Sequence, residues 1–155
     1  MPDQESIVAK STMLIRRPAA EVFNAFIDPR TLTRFWLSAA SGPLETGKTV
    51  RWEFMVPGAT AETKVTALEP NKHLAIEWSD GTYVRWRFES LEEGTVVRIE
   101  NWGFKGTRSE IADTAIESTQ GFTIVLCDLK TLLESGRSAH LVRDKAVQIQ
   151  RMRAE

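Results

Sequence analysis

Ile15-Arg16-Arg17-Pro18-Ala19-Ala20-Glu21-Val22-Phe23-Asn24-Ala25-Phe26-Ile27-Asp28-Pro29, running on to Phe35-Trp36, is the stretch whose reading decides the fold. Pro18 opens a helix, where a missing N–H costs nothing. Val22, Phe23, Phe26 and Ile27 give that helix an apolar stripe at three-and-four spacing. Asp28-Pro29 repeats the start signal, a capping carboxylate followed by proline. A second short helix therefore carries Leu32, Phe35 and Trp36. Upstream, 6–16 is rich in β-branched residues (Ile7, Val8, Thr12, Ile15) and reads as a first strand.

Downstream the period changes to two. Val50, Trp52 and Phe54 alternate with Arg51 and Glu53. Thr63 to Leu68 is a strand ended by Glu69-Pro70-Asn71. Leu74, Ile76 and Trp78 alternate with Ala75 and Glu77, and Asp80-Gly81 is a strong hairpin signal. Val84, Trp86 and Phe88 alternate with Arg85 and Arg87. Val97, Ile99 and Asn101 alternate with Arg98 and Glu100. One face is apolar; the other is Arg and Glu, which pair across strands. Such an antiparallel sheet has one wet face and one face that needs a cover.

Residues 109–135 supply the cover. Ile111, Ala115, Phe122, Val125, Leu126, Leu129, Leu132 and Leu133 follow helical spacing, and the helix is about 40 Å long at 1.5 Å per residue. Gly136 stops it. Gly121 lies inside it, where glycine costs about 1 kcal/mol against alanine; close approach of another backbone, or room for a cavity, would account for it. The domain reads as 1–136. Residues 137–155 read as a basic C-terminal tail or short extra helix, which either frays on the surface or docks on a partner subunit.

Composition narrows the function. The 155 residues carry a net charge of −1, with 42% apolar and 26% charged side chains. That gives no basic field for nucleic acid. No stretch nears the roughly 20 apolar residues of a membrane span. Met1–Glu5 is polar and Lys10, Ser11 and Thr12 interrupt the next apolar stretch, so no signal peptide is read. The single cysteine, Cys127, excludes an internal disulfide framework and suits a reducing, cytoplasmic setting. His73 and His140 stand far apart in sequence without acidic neighbours, so no metal site is expected. No nucleophile elbow, phosphate loop or Cys-x-x-Cys pair occurs.

The order of these elements resembles the α+β helix-grip fold of the START/Bet v 1-like (SRPBCC) superfamily: a curved antiparallel sheet of six to seven strands wrapped on a long C-terminal helix, with two short helices between strands one and two. Within it the chain resembles the branch of heat-shock-protein-90 ATPase activator homologues. The matching words are Ile15-x-x-Pro18, Val22-Phe23, Ala25-Phe26, Asp28-Pro29, Phe35-Trp36, Gly47, Leu68-Glu69-Pro70, Trp86-x-Phe88, Gly94-Thr95, Gly103-Phe104 and Gly121-Phe122 through Gly136. The family often has Trp after the mid-helix glycine, where this chain has Phe122, and the tail past Gly136 lies outside the pattern. The resemblance implies a cavity between sheet and helix, and many single-domain members are thought to hold small apolar molecules.

The expected ligand is a small hydrophobic molecule, aromatic ones included, with no cofactor. Trp36, Trp52, Phe54, Trp78, Trp86, Phe88, Phe122 and Leu126 would line the cavity. Asn101 shares the parity of Val97 and Ile99, so its amide points inward and needs a partner: the helix, a water or the ligand. Each buried indole N–H should also find a partner. Replacing Trp86 by Ala is expected to weaken ligand uptake more than the fold. No carboxylate is expected on the inner face. Two alternatives remain: a chaperone-regulator module with a filled interior and an exposed apolar patch, and a cyclase- or hydrolase-like enzyme on polyketide-like substrates. A homodimer is compatible with each.

Overall fold

The computed structural model describes residues 6–153. Met1–Glu5 and the last two residues of the tail lie outside the described residues. The elements run β1 (Ala9–Ile15), α1 (Ala19–Ile27), α2 (Pro29–Phe35), β2 (Leu37–Ala40), β3 (Thr49–Phe54), β4 (Thr60–Glu69), β5 (His73–Trp78), β6 (Tyr83–Leu91), β7 (Gly94–Trp102), α3 (Arg108–Ser135) and α4 (Leu141–Arg153). The seven strands form one antiparallel sheet in the order β1-β7-β6-β5-β4-β3-β2, curled as a half-barrel around α3. This is the α+β helix-grip architecture.

The helix boundaries follow their caps. The Asp28 carboxylate accepts the Arg30 N–H at 2.9 Å and Pro29 fills the first helical position. Thr107 and Glu110 form a reciprocal capping box at the start of α3. Gly136 ends α3 at φ 79°, a left-handed conformation that costs glycine little. Trp36 falls just past α2 as its C-cap, not within it.

The alternation holds through the sheet. Trp52, Leu74, Ile76, Val84, Trp86, Val97 and Ile99 are buried with Phe26, Phe35 and Leu126. On the outer face Arg51 faces Glu62 at 3.9 Å and Arg85 holds Glu100 at 2.8 Å, each pair directly opposite in register. A bulge between Val65 and Ala67 shifts the parity of β4, so that Leu68, not Ala67, continues the side begun by Thr63 and Val65.

Two strand features differ from the sequence reading, and at Gly121 the structure chooses between its two accounts. The first strand is shorter than 6–16, because β7 pairs only with Ala9 to Ile15. The β2 strand at Leu37-Ser38-Ala39-Ala40 went unread; it holds few strand-forming side chains and pairs with β3 across a bulge. Gly121 admits no close backbone, since a Cβ placed there meets nothing within 4 Å.

One edge of the sheet is covered by the long helix. The free edge of β1 is covered by α3: Lys130 Nζ donates to Leu14 O at 2.7 Å, the Arg16 N–H to Glu134 Oε2 at 2.9 Å, and Ser11 Oγ to Thr119 O at 3.2 Å. These bonds satisfy groups that would otherwise invite another strand. The basic tail forms α4, which packs on α3 and α2 with Ala146 buried and Val142 against the core.

Candidate ligand-binding site

Sheet and long helix do not stay in contact along their whole length. Around α1 the space between them is full. Trp52, Trp86 and Leu126 are wholly buried and Phe88 nearly so, with Phe26 centred 5.7 Å from Trp86 and 6.1 Å from Phe88. Near the start of α3 the two layers part and leave an open-mouthed cavity of about 400 Å³. That is within the roughly 300–1,000 Å³ usual for small-molecule pockets.

Each wall comes from the end of an element. Trp36 caps α2, Phe54 ends β3 and Trp78 ends β5. Asp80 and Thr82 lie on the β5–β6 turn, Asn101 on β7 and Phe104 on the loop after it. Thr114, Glu117, Ser118 and Phe122 project from α3. Trp36 is the hub of the ring cluster, centred 5.0 Å from Trp52 and 5.8 Å from Phe122. Trp78 and Phe122 are stacked with centroids 6.2 Å apart and together border the cavity.

Of the nine residues expected to line a ligand site, Trp36, Phe54, Trp78, Asn101 and Phe122 come together here. Trp52, Trp86, Phe88 and Leu126 do not line the cavity; they fill the core beside it. Period two told which way these side chains point, but not where helix and sheet separate.

Asn101 is 3% exposed, and both ends of its amide bond protein. Its Nδ2 donates to Tyr83 O at 2.8 Å, and its Oδ1 accepts from Ser118 Oγ at 2.7 Å. The amide thereby ties β6, β7 and α3 together at the cavity wall. Of the three partners left open by the sequence, the helix is the one seen. The indoles differ from expectation: the N–H groups of Trp52, Trp78 and Trp86 are buried without an acceptor among the described residues. Their surroundings are other rings.

The charged side chains lining the cavity are Asp80 and Glu117, both at its exposed mouth. Asp80 Oδ1 accepts from the Thr82 N–H at 2.9 Å and from Thr82 Oγ1 at 2.7 Å, which fixes the carboxylate on its turn. Among the described residues no cluster of His, Cys, Asp and Glu could hold a metal ion.

A smaller cavity of about 180 Å³ lies behind Trp36 and Phe54, which line both spaces. Gly121 and Val125 of α3 and Val142, Ala146 and Ile149 of α4 close it. The open space beside Gly121 is therefore part of this second cavity.

One buried carboxylate lies away from both cavities and was not singled out by the sequence. Asp128, on α3, is 1% exposed. Its Oδ2 accepts the Val142 N–H at 3.1 Å, and Ser138 Oγ stands 3.5 Å from Oδ1. Asp128 thus caps the first turn of α4 from a different helix. Burial pushes its pKa up, while the Val142 amide, His140 and Ser138 pull it down. Sequence spacing alone could not reveal the pairing, because it requires the chain to reverse between Gly136 and Leu141. His140 makes that reversal at φ 55°.

No curated protein matches the chain. Among solved structures it is similar to SSP2350 from Staphylococcus saprophyticus, with 27% identity over 85% of this chain and 95% of that one, at a TM-score of 0.74. The Aha1 dimer from Colwellia psychrerythraea shares the fold at 23% identity, covering 85% of this chain and 99% of that one, TM-score 0.74. DynU16, from the dynemicin biosynthetic locus, shares it at 24% identity and TM-score 0.74; 88% of this chain spans 49% of that one. The family model described as Activator of Hsp90 ATPase homolog 1-like protein matches residues 16–134, from the end of β1 almost to the end of α3. With the strand order, the paired short helices and the gripped helix all in place over that span, the chain belongs to the Activator of Hsp90 ATPase homolog 1-like family.

Proposed function

We propose that the chain binds a small aromatic molecule in the cavity between β5, β7 and the first half of α3. Trp36, Phe54, Trp78 and Phe122 form its walls, and Asn101 with Ser118 forms its polar side. Trp52, Trp86, Phe88 and Leu126 support those walls from behind. The observation that carries the reading is the open cavity bordered by the rings of Trp36, Phe54, Trp78 and Phe122, beside a tightly filled core around Trp86. Close packing is the rule inside proteins, and a space bordered by aromatic rings and a few polar groups is the usual form of a ligand site.

Native mass spectrometry of the freshly purified protein tests this. A reproducible adduct of a few hundred daltons, displaced by Trp78→Ala, is the expected result. An unliganded mass, together with no thermal shift from a panel of planar aromatic compounds, would overturn it.

A second reading, self-association, rests on another face of the same first half of α3. Ile116 is 68% exposed beside Ile7, Val8 and Ala112. A related fold, the Colwellia Aha1, is a dimer. Sedimentation of the protein and of Ile116→Lys decides it: a dimer dissociated by the substitution supports it, and a monomeric parent protein removes it.

A further inference from the structure

The cavity's walls and its mouth differ in chemistry. The walls are rings. The mouth carries two carboxylates, Asp80 on the β5–β6 turn and Glu117 on α3, and no Lys or Arg lines the space. Among the described residues neither carboxylate is held in an ion pair. Lys105 comes near the turn, its Nζ 2.5 Å from where a Cβ of Gly81 would stand, but it does not line the cavity. A wholly apolar ligand seated against Trp78 and Phe122 would leave the two carboxylates unanswered. A carboxylate-bearing ligand would be repelled. Electron-rich ring faces also favour a cation.

We infer that the ligand of this cavity is an arylalkylamine or a similar cationic aromatic molecule, its ring against the Trp78 and Phe122 wall and its positive group at the mouth beside Asp80 and Glu117. This rests on the binding reading above and adds the charge of the ligand. The preference is local. The chain as a whole has a net charge of only −1, so no global field draws cations to it. Because both carboxylates are exposed, each adds a modest factor, and with the ring faces the amine should gain about tenfold over a neutral isostere. The gain should shrink with added salt.

Three probes sharing one bicyclic ring test the inference by titration calorimetry: 2-naphthylmethylamine, 2-naphthylmethanol and 2-naphthylacetate. Each is titrated into the full chain and into Asp80→Asn with Glu117→Gln. Asparagine keeps the oxygen that accepts from Thr82, so the turn survives. The expected order is amine tightest, alcohol about tenfold weaker and carboxylate weakest, with most of the amine's advantage over the alcohol lost in the double variant. If the alcohol or the carboxylate binds as well as the amine, the charge inference fails and aromatic binding stands. If the amine keeps its advantage in the double variant, the mouth carboxylates are not its cause and the inference also fails. If none of the three binds, the binding reading falls and takes this one with it.

Discussion

The rings of Trp78 and Phe122 lie parallel to within 7°, one at the end of β5 and the other in the middle of α3, with centroids 6.2 Å apart. Neither element could set that spacing alone. The sheet places Trp78 at the point where β5 gives way to its hairpin, and α3 carries Phe122 across it. Trp36, centred 5.8 Å from Phe122, closes the inner side.

Trp78→Phe keeps a ring on the sheet side and removes an indole N–H that has no acceptor. Stability should change by less than about 1.5 kcal/mol. Ligand affinity should fall several-fold, because the wall recedes. Denaturant unfolding and calorimetry on the same sample check both halves.

Trp86→Ala is expected to act in the opposite sense. Trp86 is wholly buried and does not line the cavity. Emptying its place should cost about 3–5 kcal/mol. The sequence suggested a ligand phenotype for this residue; its burial makes it a stability phenotype, seen as a large drop in the unfolding midpoint.

Ser118→Ala removes the donor to Asn101 Oδ1 while leaving Nδ2 on Tyr83 O. A buried amide oxygen left without a donor costs about 1–3 kcal/mol. Hydrogen exchange should quicken at the start of α3 and the end of β7 before it quickens elsewhere.

Asp128 gives a pH signature. Its folded-state pKa is raised above the ordinary 3.8, so the native state holds this proton more tightly than the unfolded chain. Its contribution to stability therefore falls as pH rises from 3.8 through the folded-state value. Asp128→Asn keeps an acceptor for the Val142 N–H and should flatten the stability profile over that range. Asp128→Ala loses the cap, should cost about 1–2 kcal/mol, and should free α4. Urea unfolding at several pH values, with hydrogen exchange on residues 141–153, separates the two variants.

Gly94→Ala should be among the more damaging single changes. Gly94 has φ 149°, and a Cβ there would stand 2.3 Å from Ile15 O and 2.7 Å from Arg16 Cα. The β6–β7 turn passes too close to the end of β1 for any side chain. A loss of at least about 2 kcal/mol is expected in thermal unfolding.

Much of this molecule was written in local pattern. Asp28-Pro29 marks its helix because the capping carboxylate stands two residues from the N–H it accepts. The Trp52, Trp86 and Ile99 parity is legible because adjacent strand residues face opposite sides, and Arg and Glu between them confirm which side is wet. The fold followed from the order of such words. What those words could not contain was distance between elements far apart in the chain. Whether Trp78 borders a cavity and Trp86 a filled core depends on where α3 parts from the sheet, although both alternate identically. Whether Asp128 is a solvated carboxylate or the cap of another helix depends on a reversal at His140 that brings Val142 back to it. Periodicity is a property of neighbours along the chain; cavities, and caps between helices, are properties of neighbours in space, and only the tertiary structure decides those.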